Sequence, residues 1–469
     1  MLSLSGALSR ICGRRRGSAR RRVAAGALAL VLSTGLGLPQ ANQAKAQGIP
    51  LIRDSEIERL LNDYARPVFS AAGLGNGRVS IQIVRSNIFN AFVIDGRNVY
   101  IHTGALLQSS TPNQLIGVIA HEAGHIAGGD LAALRTRIQR DQTKLLLMRI
   151  LGIGAAIASR NPVAAAAGDD LVIRSLLAER RAQESAADQR AMSYLNRTKQ
   201  SGRGMLETFE RFKRQEYISD SHKDPFVRSH PVATERLSLL RERVSTSRYL
   251  DRRDPPELQL RHDMMRAKLS GYLESPATVF NRYPQSDQSL PARYGRAIAT
   301  FFRGGTQGLP ASLQAIQALI KEKPSYPYFY ELRADFLLRS GRASEAIRDL
   351  QTAIKLDPDA TLMQVRLGSA LLATNQAKLV PEALRVIQKA IRTDELNEDP
   401  KSSAYRILGQ AYYKSGQLPK SYAATAEAEF ISGRIKKAQI FAKRAMVGLK
   451  KGSPSWRRMD EIVGFKPDR

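Results

Sequence analysis

The chain has 469 residues, a formal net charge of +29 at pH 7 and one cysteine, Cys12. This length is enough for two or three domains. Because the only thiol lies in a segment with the composition of a leader, the sequence excludes a cysteine peptidase and a fold that depends on disulfide bonds.

Residues 1–46 have the features of a secretory signal peptide. Residues 1–22 contain seven arginines and no acidic residue, an apolar run follows, and a small-x-small cleavage motif ends at Ala46. We therefore predict a periplasmic protein cleaved between Ala46 and Gln47, which lowers the formal charge from +29 by eight to +21. An uncleaved membrane anchor is the alternative, although the apolar run is short and interrupted by polar residues.

The excess of basic residues indicates an anionic partner or surface. For an exported chain we expect anionic lipid, lipopolysaccharide or the cell-wall polymer, so peripheral contact with a membrane is one predicted interaction. Nucleic acid is not an expected partner. No nucleic-acid-binding motif is present, and the basic residues are spread along helices instead of alternating with aromatic residues.

The segment after the leader predicts one amphipathic helix followed by short strands. Four apolar residues recur at helical spacing: Ile57, Leu60, Leu61 and Tyr64. Short stretches typical of strands follow at 79–84 and 91–101. These elements predict a small sheet beside helices, which is an α+β arrangement within a mainly α chain.

The most informative motif is His121-Glu122-Ala123-Gly124-His125. On a helix, side chains at i and i+4 project from the same face. Two imidazoles at this spacing can bind one zinc ion, and Glu122 can accept a proton from the attacking water. The alternative is a pair of ordinary histidines with a glutamate between them by chance.

The residues around the motif predict a helix with defined ends. Thr111 can cap its N-terminus, Pro112 suits its first position, and Gln114 completes a capping box. Gly128 and Gly129 predict its end. Between these ends an apolar stripe would face a core: Leu115, Ile119 and Ile126. The histidine face is then expected to line a cleft.

A catalytic zinc site needs a third protein ligand. Glu184-Ser185-Ala186-Ala187-Asp188 lies in a second helix-like segment, from about Asp169 to Tyr194. Glu184 can complete the metal shell, and Asp188, on the same helix face, can accept a hydrogen bond from the far nitrogen of a ligating histidine. The pattern is common on surface helices, so its significance depends on the upstream motif. Together they predict one zinc ion per chain.

An apolar run at 145–158 separates the two motif segments. It is too short to span a bilayer, which requires about 20 residues. One interpretation is a buried helix or a lid over the cleft. The other is a contact with a membrane surface.

The segment from Asp251 to Pro256 predicts a domain boundary, and helical repeats follow. Pro324 and Pro358 are 34 residues apart, as are Ala334 and Gly368, and this is the tetratricopeptide period. Similar patterns continue toward the C-terminus, one of them with a three-residue insertion. Stacked helix pairs of this kind form a concave binding surface.

The motifs together resemble those of the zinc metallopeptidases related to the CAAX prenyl protease. H-E-A-G-H is followed by E-S-A-A-D and then by His230-Pro231, while Asn90-Ala91-Phe92 and residues 99–104 resemble the family's edge strand and hairpin. With its leader and repeats, the chain is similar to the periplasmic branch. The resemblance implies a zincin-like (gluzincin) peptidase domain at 47–250 with a small edge sheet, then a TPR-like α-solenoid at 256–469.

The resemblance also implies roles for individual residues. It makes His121, His125 and Glu184 the zinc ligands, Glu122 the general base and Asp188 a positioning partner. Asn90 and Arg236 match positions that line the cleft and help to stabilise the oxyanion. His230 matches a histidine that can approach the metal as a switch, although by sequence it is an ordinary loop histidine, and both interpretations stay open. The remaining histidines are interpreted as structural or exposed: His102, His222 and His262.

Two hypotheses about function follow. The first is a zinc endopeptidase of the cell envelope that degrades misfolded or stalled outer-membrane proteins. Its repeats would recruit unfolded or misassembled envelope proteins, or the outer-membrane β-barrel assembly complex. The alternative is a non-proteolytic periplasmic chaperone or adaptor with an inhibited metal site. The intact motifs favour the first, since a vestigial site would tolerate the loss of Glu122.

Overall fold

A computed structural model describes the chain from Pro50 to Lys466 with several gaps, and the described residues from Leu51 onward form one compact unit. The residues outside the description are 1–49, 76, 95, 131, 134–135, 137–162, 214–225, 227–229, 232–233, 394–397 and 467–469, together with the side chains of 163–177 and 398–399. The predicted leader, the apolar run at 145–158 and His222 therefore lie outside the described residues.

The region around the motifs combines a small sheet with helices, as predicted. Its elements are β1 Leu51–Ile52, α1 Ser55–Ala71, β2 Ser80–Val84, β3 Ala91–Val93, β4 Asn98–His102, α2 Thr103–Gln108, α3 Pro112–Gly128, α4 Val163–Arg197, α5 Arg203–Phe212 and α6 Thr234–Ser245. The short strands predicted within 91–101 form a hairpin of β3 and β4, as the family resemblance implied, and Gly96 between them has a φ of 72°.

The described sheet has the strand order β1-β2-β4-β3. β2 and β4 are parallel, whereas β1 and β3 pair antiparallel to their neighbours. β3 is the edge strand, with Ala91 opposite Ile101. The β3–β4 hairpin leads through α2 into α3, and it places the edge strand beside the helix that carries the H-E-x-x-H motif.

The core of this region lies between α1, α3 and the sheet. The apolar stripe of α1 is buried there with Leu115 and Ile119 of α3. Asp54 fixes the start of α1, because its Oδ1 accepts a hydrogen bond from the Ile57 backbone N at 3.0 Å. The predicted amphipathic helix is therefore confirmed, and its apolar face packs against the apolar face of α3.

The rest of the chain is a stack of helices. The bounds are α7 Pro256–Leu273, α8 Pro276–Arg282, α9 Leu290–Gly304, α10 Leu309–Glu322, α11 Pro327–Arg339, α12 Ala343–Leu356, α13 Thr361–Ala373, α14 Val380–Arg392, α15 Glu398–Lys414, α16 Leu418–Ile431, α17 Ile435–Gly448 and α18 Pro454–Gly464. A short 3₁₀ helix, Ala377–Leu379, coincides with the predicted insertion. None of the helices in the described part is both long and apolar enough to cross a bilayer.

Small residues set the spacing of the stacked helices. A Cβ added to Gly368 on α13 would lie 2.3 Å from the side chain of Ile387 on α14, so a larger residue at 368 would force the Ile387 side chain to shift. The solenoid and the mainly α, α+β architecture predicted from the sequence are confirmed.

α7 contributes to the core around α1 and α3 as well as to the stack. Met265 and Leu269 lie in the same apolar cluster as the α1 stripe. His262 is buried, with Nε2 2.9 Å from the Ser109 carbonyl and Nδ1 3.1 Å from the Tyr64 hydroxyl. The domain limits remain a prediction, and a cut before α7 would remove these three side chains from the core.

Candidate metal centre

α3 begins and ends as the sequence predicts. The Thr111 hydroxyl accepts a hydrogen bond from Gln114 N, Pro112 is the first helical residue, and Gly129 ends the helix with a φ of 66°. The capping box differs in one detail, because the Gln114 side chain accepts from Ser110 N at 2.8 Å instead of from Thr111 N. The motif residues therefore lie on a helix with both ends fixed.

The two motif helices pack unusually closely. A Cβ added to Gly124 would lie 2.7 Å from the carbonyl oxygen of Ala187 on α4. Ala187 lies between Glu184 and Asp188, so this contact sets the distance from both carboxylates to the histidines. The glycine inside H-E-A-G-H therefore has a packing role that helical spacing alone did not show.

His121 is fully buried and held through both ring nitrogens. Its Nδ1 lies 2.9 Å from Asp188 Oδ1, and its Nε2 lies 3.3 Å from Glu184 Oε2. When Nδ1–H donates to Asp188, the lone pair of Nε2 points toward the other candidate ligands. Asp188 therefore lies where the sequence placed it, behind a ligating histidine.

His125 has a similar arrangement with a partner that the sequence analysis missed. Its Nδ1 lies 2.9 Å from Asp130 Oδ2, and its Nε2 lies 3.4 Å from Glu184 Oε1 and 3.1 Å from His121 Nε2. The signal was local, because Asp130 directly follows the two glycines that end α3. Both histidines therefore have a carboxylate on the nitrogen that faces away from the ligand cluster.

Arg236 lies behind the carboxylates of α4. Its Nη1 is 2.9 Å from Glu184 Oε2, and its Nε and Nη2 donate to the two oxygens of Asp188 at 2.5 and 2.8 Å. Nη1 also donates to the Pro231 carbonyl at 3.0 Å. The side chain is buried, and its guanidinium lies 4.8 Å from the ring centre of Phe209. These contacts make it a clamp on the two acids.

His230 lies inside the candidate site and is not an exposed loop residue. Its Nδ1 is 3.1 Å from Glu184 Oε1 and 3.2 Å from His121 Nε2. Its Nε2 is 3.3 Å from the Ala91 carbonyl on β3 and 3.4 Å from Glu122 Oε1. One ring nitrogen therefore faces the ligand cluster while the other faces the edge strand.

Glu122 is fully buried, and neither of its carboxylate oxygens has a hydrogen-bond partner in the described part of the chain. Its Oε1 lies 3.4 Å from His230 Nε2. Leaving a buried carboxylate without hydrogen bonds is costly, so such a group calls for a functional explanation.

Neighbouring carboxylates control the ionisation of the imidazoles. Burial alone would lower the pKa of His121, but its hydrogen bonds to Asp188 and Glu184 outweigh burial and raise the pKa. Burial likewise opposes ionisation of His125, while Asp130 and Glu184 raise its pKa to about 10. A metal cation would compete with these protons, because a ligating imidazole nitrogen must be unprotonated.

The opposite shift applies to the acids. Burial alone would raise the pKa of Glu184, but the charges of His230 and Arg236 hold this pKa well below its ordinary value. The pKa of Asp188 is also lowered, because its pairing with Arg236 and His121 outweighs burial. Both carboxylates are therefore ionised at neutral pH and can act as anionic ligands or acceptors.

Two phenylalanines border the cluster, and Asn90 precedes a residue that contacts it. Asn90 is buried directly before Ala91, the residue whose carbonyl contacts His230. The rings of Phe209 and Phe226 lie 5.4 Å from His121 and 5.2 Å from His230, respectively. The sequence analysis missed both phenylalanines, since neither belongs to a motif and only the fold brings them to the site.

The geometry fits a metal ion. One ligand atom each from His121, His125, Glu184 and His230 can be chosen so that all four lie within 4.8 Å of one another. Imidazole nitrogens with a carboxylate oxygen are typical ligands of divalent metals in catalytic sites. Among the other histidines, His262 is part of the core and His102 is half-buried away from this cluster.

Comparisons with known proteins support this assignment. A family model described as peptidase family M48 matches residues 52–244, and a tetratricopeptide repeat model matches 305–361 and 332–397. The chain is 24% identical over 425 residues to the beta-barrel assembly-enhancing protease of Escherichia coli (strain K12), covering 88% of this chain and 84% of the relative.

The chain is also similar to a relative from another organism. The protein of the same name from Yersinia pestis is 23% identical over 431 residues, with 88% of this chain and 84% of the relative covered. A structure titled MamA MSR-1 C2 covers 39% of this chain and 99% of its own, at 15% identity and a TM-score of 0.31, and supports no conclusion. Residues 52–244 are thus a peptidase family M48 domain, and tetratricopeptide repeats follow this domain. The chain is a metallopeptidase.

Proposed function

We propose that the chain is a zinc endopeptidase of the cell envelope that degrades misfolded or stalled outer-membrane proteins. The observation that carries this proposal is the convergence of His121, His125 and Glu184 beside the unpartnered carboxylate of Glu122. The names of the relatives, which refer to beta-barrel assembly, support the choice of substrate class.

In this proposal the three ligand residues hold zinc, and Glu122 performs proton transfer. When bound, zinc supplies Lewis acidity toward the peptide carbonyl and the attacking water. Glu122 accepts the proton of that water and passes it to the leaving amine. Its carboxylate is suited to this role because it is held on α3 next to both histidines and has no competing hydrogen bond among the described residues.

The surrounding residues orient the ligands. Asp188 and Asp130 fix the ring orientation of His121 and His125. Arg236 contacts Glu184 and Asp188, so we propose that it positions these acids; its contacts favour this over the oxyanion role that the family resemblance implied. The oxyanion role is proposed for Asn90 alone.

The edge strand offers a route for the substrate. β3 pairs with β4 on one side and is the edge of the described sheet. An extended peptide can add to such an edge through its backbone hydrogen bonds. This mode of binding suits unfolded clients, because it requires a chain segment without secondary structure of its own.

The decisive experiment is Glu122→Gln. We expect zinc content to stay at one ion per chain and cleavage of an unfolded model protein to fall by about 10²- to 10⁴-fold, because the amide cannot accept the proton. Metal analysis and a proteolysis time course measure the two quantities. Glu235→Gln, an exposed glutamate on α6, is the matched control and should keep full activity. Equal activity of the Glu122 variant would remove this residue as the base.

His230 favours the second candidate function, a chaperone or adaptor whose metal site is inhibited at rest. Its Nδ1 lies among the ligand atoms and its Nε2 lies next to the edge strand. The imidazole can therefore block both the open position on the metal and the approach of a substrate to β3. We expect His230→Ala to raise basal proteolysis with zinc retained. Lower turnover would instead indicate that His230 assists the reaction, and no change in either quantity would leave it a structural residue.

The repeats are proposed to select clients or the β-barrel assembly machinery, and the leader to direct the chain to the periplasm. A cut at the predicted boundary would damage the core, because α7 contributes to it. A chain ending at Thr393 keeps α7 to α14 and is the better truncation. We expect it to lose co-purifying envelope proteins that the full Glu122→Gln chain retains.

N-terminal sequencing of the exported protein tests cleavage before Gln47.

A further inference from the structure

The last described helix pair has a one-sided charge distribution. Between Glu429 and Asp460 the chain has nine basic residues and no acidic residue. Arg434 and Arg458 are paired with carboxylates. Within the described part of the chain the other seven form no ion pair: Lys436, Lys437, Lys443, Arg444, Lys450, Lys451 and Arg457. Most of the positive charge at this end of the solenoid is therefore not neutralised by an ion pair.

Helix geometry puts several of them on one exposed face of α17. Three alanines form the buried face of this helix: Ala438, Ala442 and Ala445. At 100° per residue, Ile440 and Val447 project from the opposite face, where they are 52% and 90% exposed. Lys436 and Lys443 fall on that same face, and Arg444 flanks it. Two solvent-exposed aliphatic side chains are thus flanked by cationic side chains.

We propose that this terminal basic face binds an anionic lipid surface. It comprises Lys436, Lys437, Ile440, Lys443, Arg444 and Val447 on α17, and the exposed Lys450 and Lys451 that directly follow the helix. The cations lie against headgroup phosphates while Ile440 and Val447 enter the boundary between headgroups and acyl chains. A helix with an apolar centre and a basic margin is typical of interfacial binding.

The composition of the face favours lipid over other anions. Nucleic acid offers phosphates but no apolar layer for Ile440 and Val447. Specific recognition of carboxylates on an acidic protein favours arginine, whose planar group binds them through two hydrogen bonds. Here lysines predominate, and they act as mobile point charges that can adapt to a fluid array of phosphates.

The test is binding of the purified chain lacking residues 1–46 to lipid vesicles, measured by co-sedimentation. This chain retains the whole compact unit. We expect binding to phosphatidylcholine vesicles that contain phosphatidylglycerol and little binding to phosphatidylcholine alone. Each cation near an anionic surface contributes about fivefold in affinity, so Lys436→Gln, Lys443→Gln and Lys450→Gln together should weaken partitioning by about 100-fold.

The matched control removes the same charge elsewhere. Lys321, Lys355 and Lys389 are exposed on α10, α12 and α14, and their replacement by Gln should leave vesicle binding nearly unchanged. The double change Ile440→Ser and Val447→Ser should weaken partitioning by about tenfold, since it removes the apolar contact without altering charge. Both variants change exposed side chains, and circular dichroism confirms their folding.

Three outcomes would overturn the proposal. Equal loss in the test and control triplets would show that net charge, and not this face, controls binding. Unchanged partitioning of the double serine variant would rule out apolar insertion. If the chain did not co-sediment with anionic vesicles, lipid would be excluded and an acidic protein would be left as the partner. None of these measurements uses peptidase activity, so they are independent of the proposed catalytic function.

Discussion

The chain buries two groups of ionisable side chains, one in the metal centre and one where α1 meets α7 and the repeats. In the second, the junction cluster, Lys268 Nζ lies 2.7 Å from Asp54 Oδ2, 3.1 Å from Glu56 Oε2 and 3.7 Å from Glu331 Oε2. In the metal centre the candidate ligand atoms are imidazole nitrogens and carboxylate oxygens. The guanidinium group of Arg236 contacts Glu184.

The two clusters differ in how their carboxylates are satisfied. At the junction Tyr294 donates to Glu56 at 2.9 Å and Ser55 donates to one oxygen of Glu331 at 3.3 Å. The other Glu331 oxygen has no hydrogen bond among the described residues, but it lies 3.7 Å from the shared ammonium group. In the metal centre both oxygens of Glu122 lack a hydrogen bond among the described residues. Carboxylates grouped around a buried lysine therefore indicate a structural role. A carboxylate with no hydrogen bond on either oxygen, beside convergent ligand atoms, indicates chemistry.

Removing the central lysine should have the largest effect on stability. Burial alone would lower the pKa of Lys268, but Asp54 and Glu56 hold it well above its ordinary value, so the ammonium is charged. Lys268→Ala leaves the buried Glu56 and Glu331 and the partly exposed Asp54 without their shared cation, and we expect the free energy of unfolding to fall by about 3–5 kcal/mol. Denaturant titration measures it.

Lys321→Ala is the matched control for this substitution, because Lys321 is exposed on α10. It should change the free energy of unfolding by less than about 0.5 kcal/mol. The comparison between the clusters would fail if Lys268→Ala were as stable as the control. It would be sharpened if Glu122→Gln, in contrast, lost turnover without losing stability.

The next effect is a pH dependence of stability from His262 beside the junction. Burial lowers its pKa to about 4, so the folded state keeps this imidazole neutral below the pH at which the unfolded chain protonates it. Stability from this group is present above about pH 6.5 and is lost as the pH falls toward 4, by up to about 3 kcal/mol.

Unfolding titrations between pH 4 and pH 7 measure this effect. His262→Gln can keep the bonds to Tyr64 and Ser109 without titrating, so the variant should lose most of the slope. His102→Gln is the comparison variant and should lose less of the slope, since burial also lowers the pKa of His102 but this side chain is only half-buried. An identical slope in wild type and the His262 variant would show that other groups control acid stability.

The smallest effect concerns the carboxylates that orient the histidines. Asp188→Ala should weaken zinc binding by about 10- to 100-fold, because His121 loses its acceptor and Arg236 loses one of its acids. Asp130→Ala should weaken it less, since the His125 and Asp130 side chains are 14% and 11% exposed and water can replace the bond. Competition with a chelator ranks the two. A larger effect at Asp130 would contradict this order.

Local patterns in the sequence determine much of this protein. The cap at Thr111, the glycines at 128 and 129, and the histidine spacing fix α3 and its ligand face, because each acts within a few residues. The 34-residue period fixed the repeats for the same reason, since each helix pair packs mainly on its neighbours in sequence.

What the sequence could not provide came from contacts between distant segments. The position of His230 beside Glu184, the clamp of Arg236 and the phenylalanines near the site depend on how loops and helices far apart in sequence meet. The parallel pairing of β2 with β4 and the place of α7 in the core are of the same kind. Local sequence determined which side chains could bind a metal, and only tertiary packing decided which partners surround them, because burial and ion pairing are properties of the assembled core.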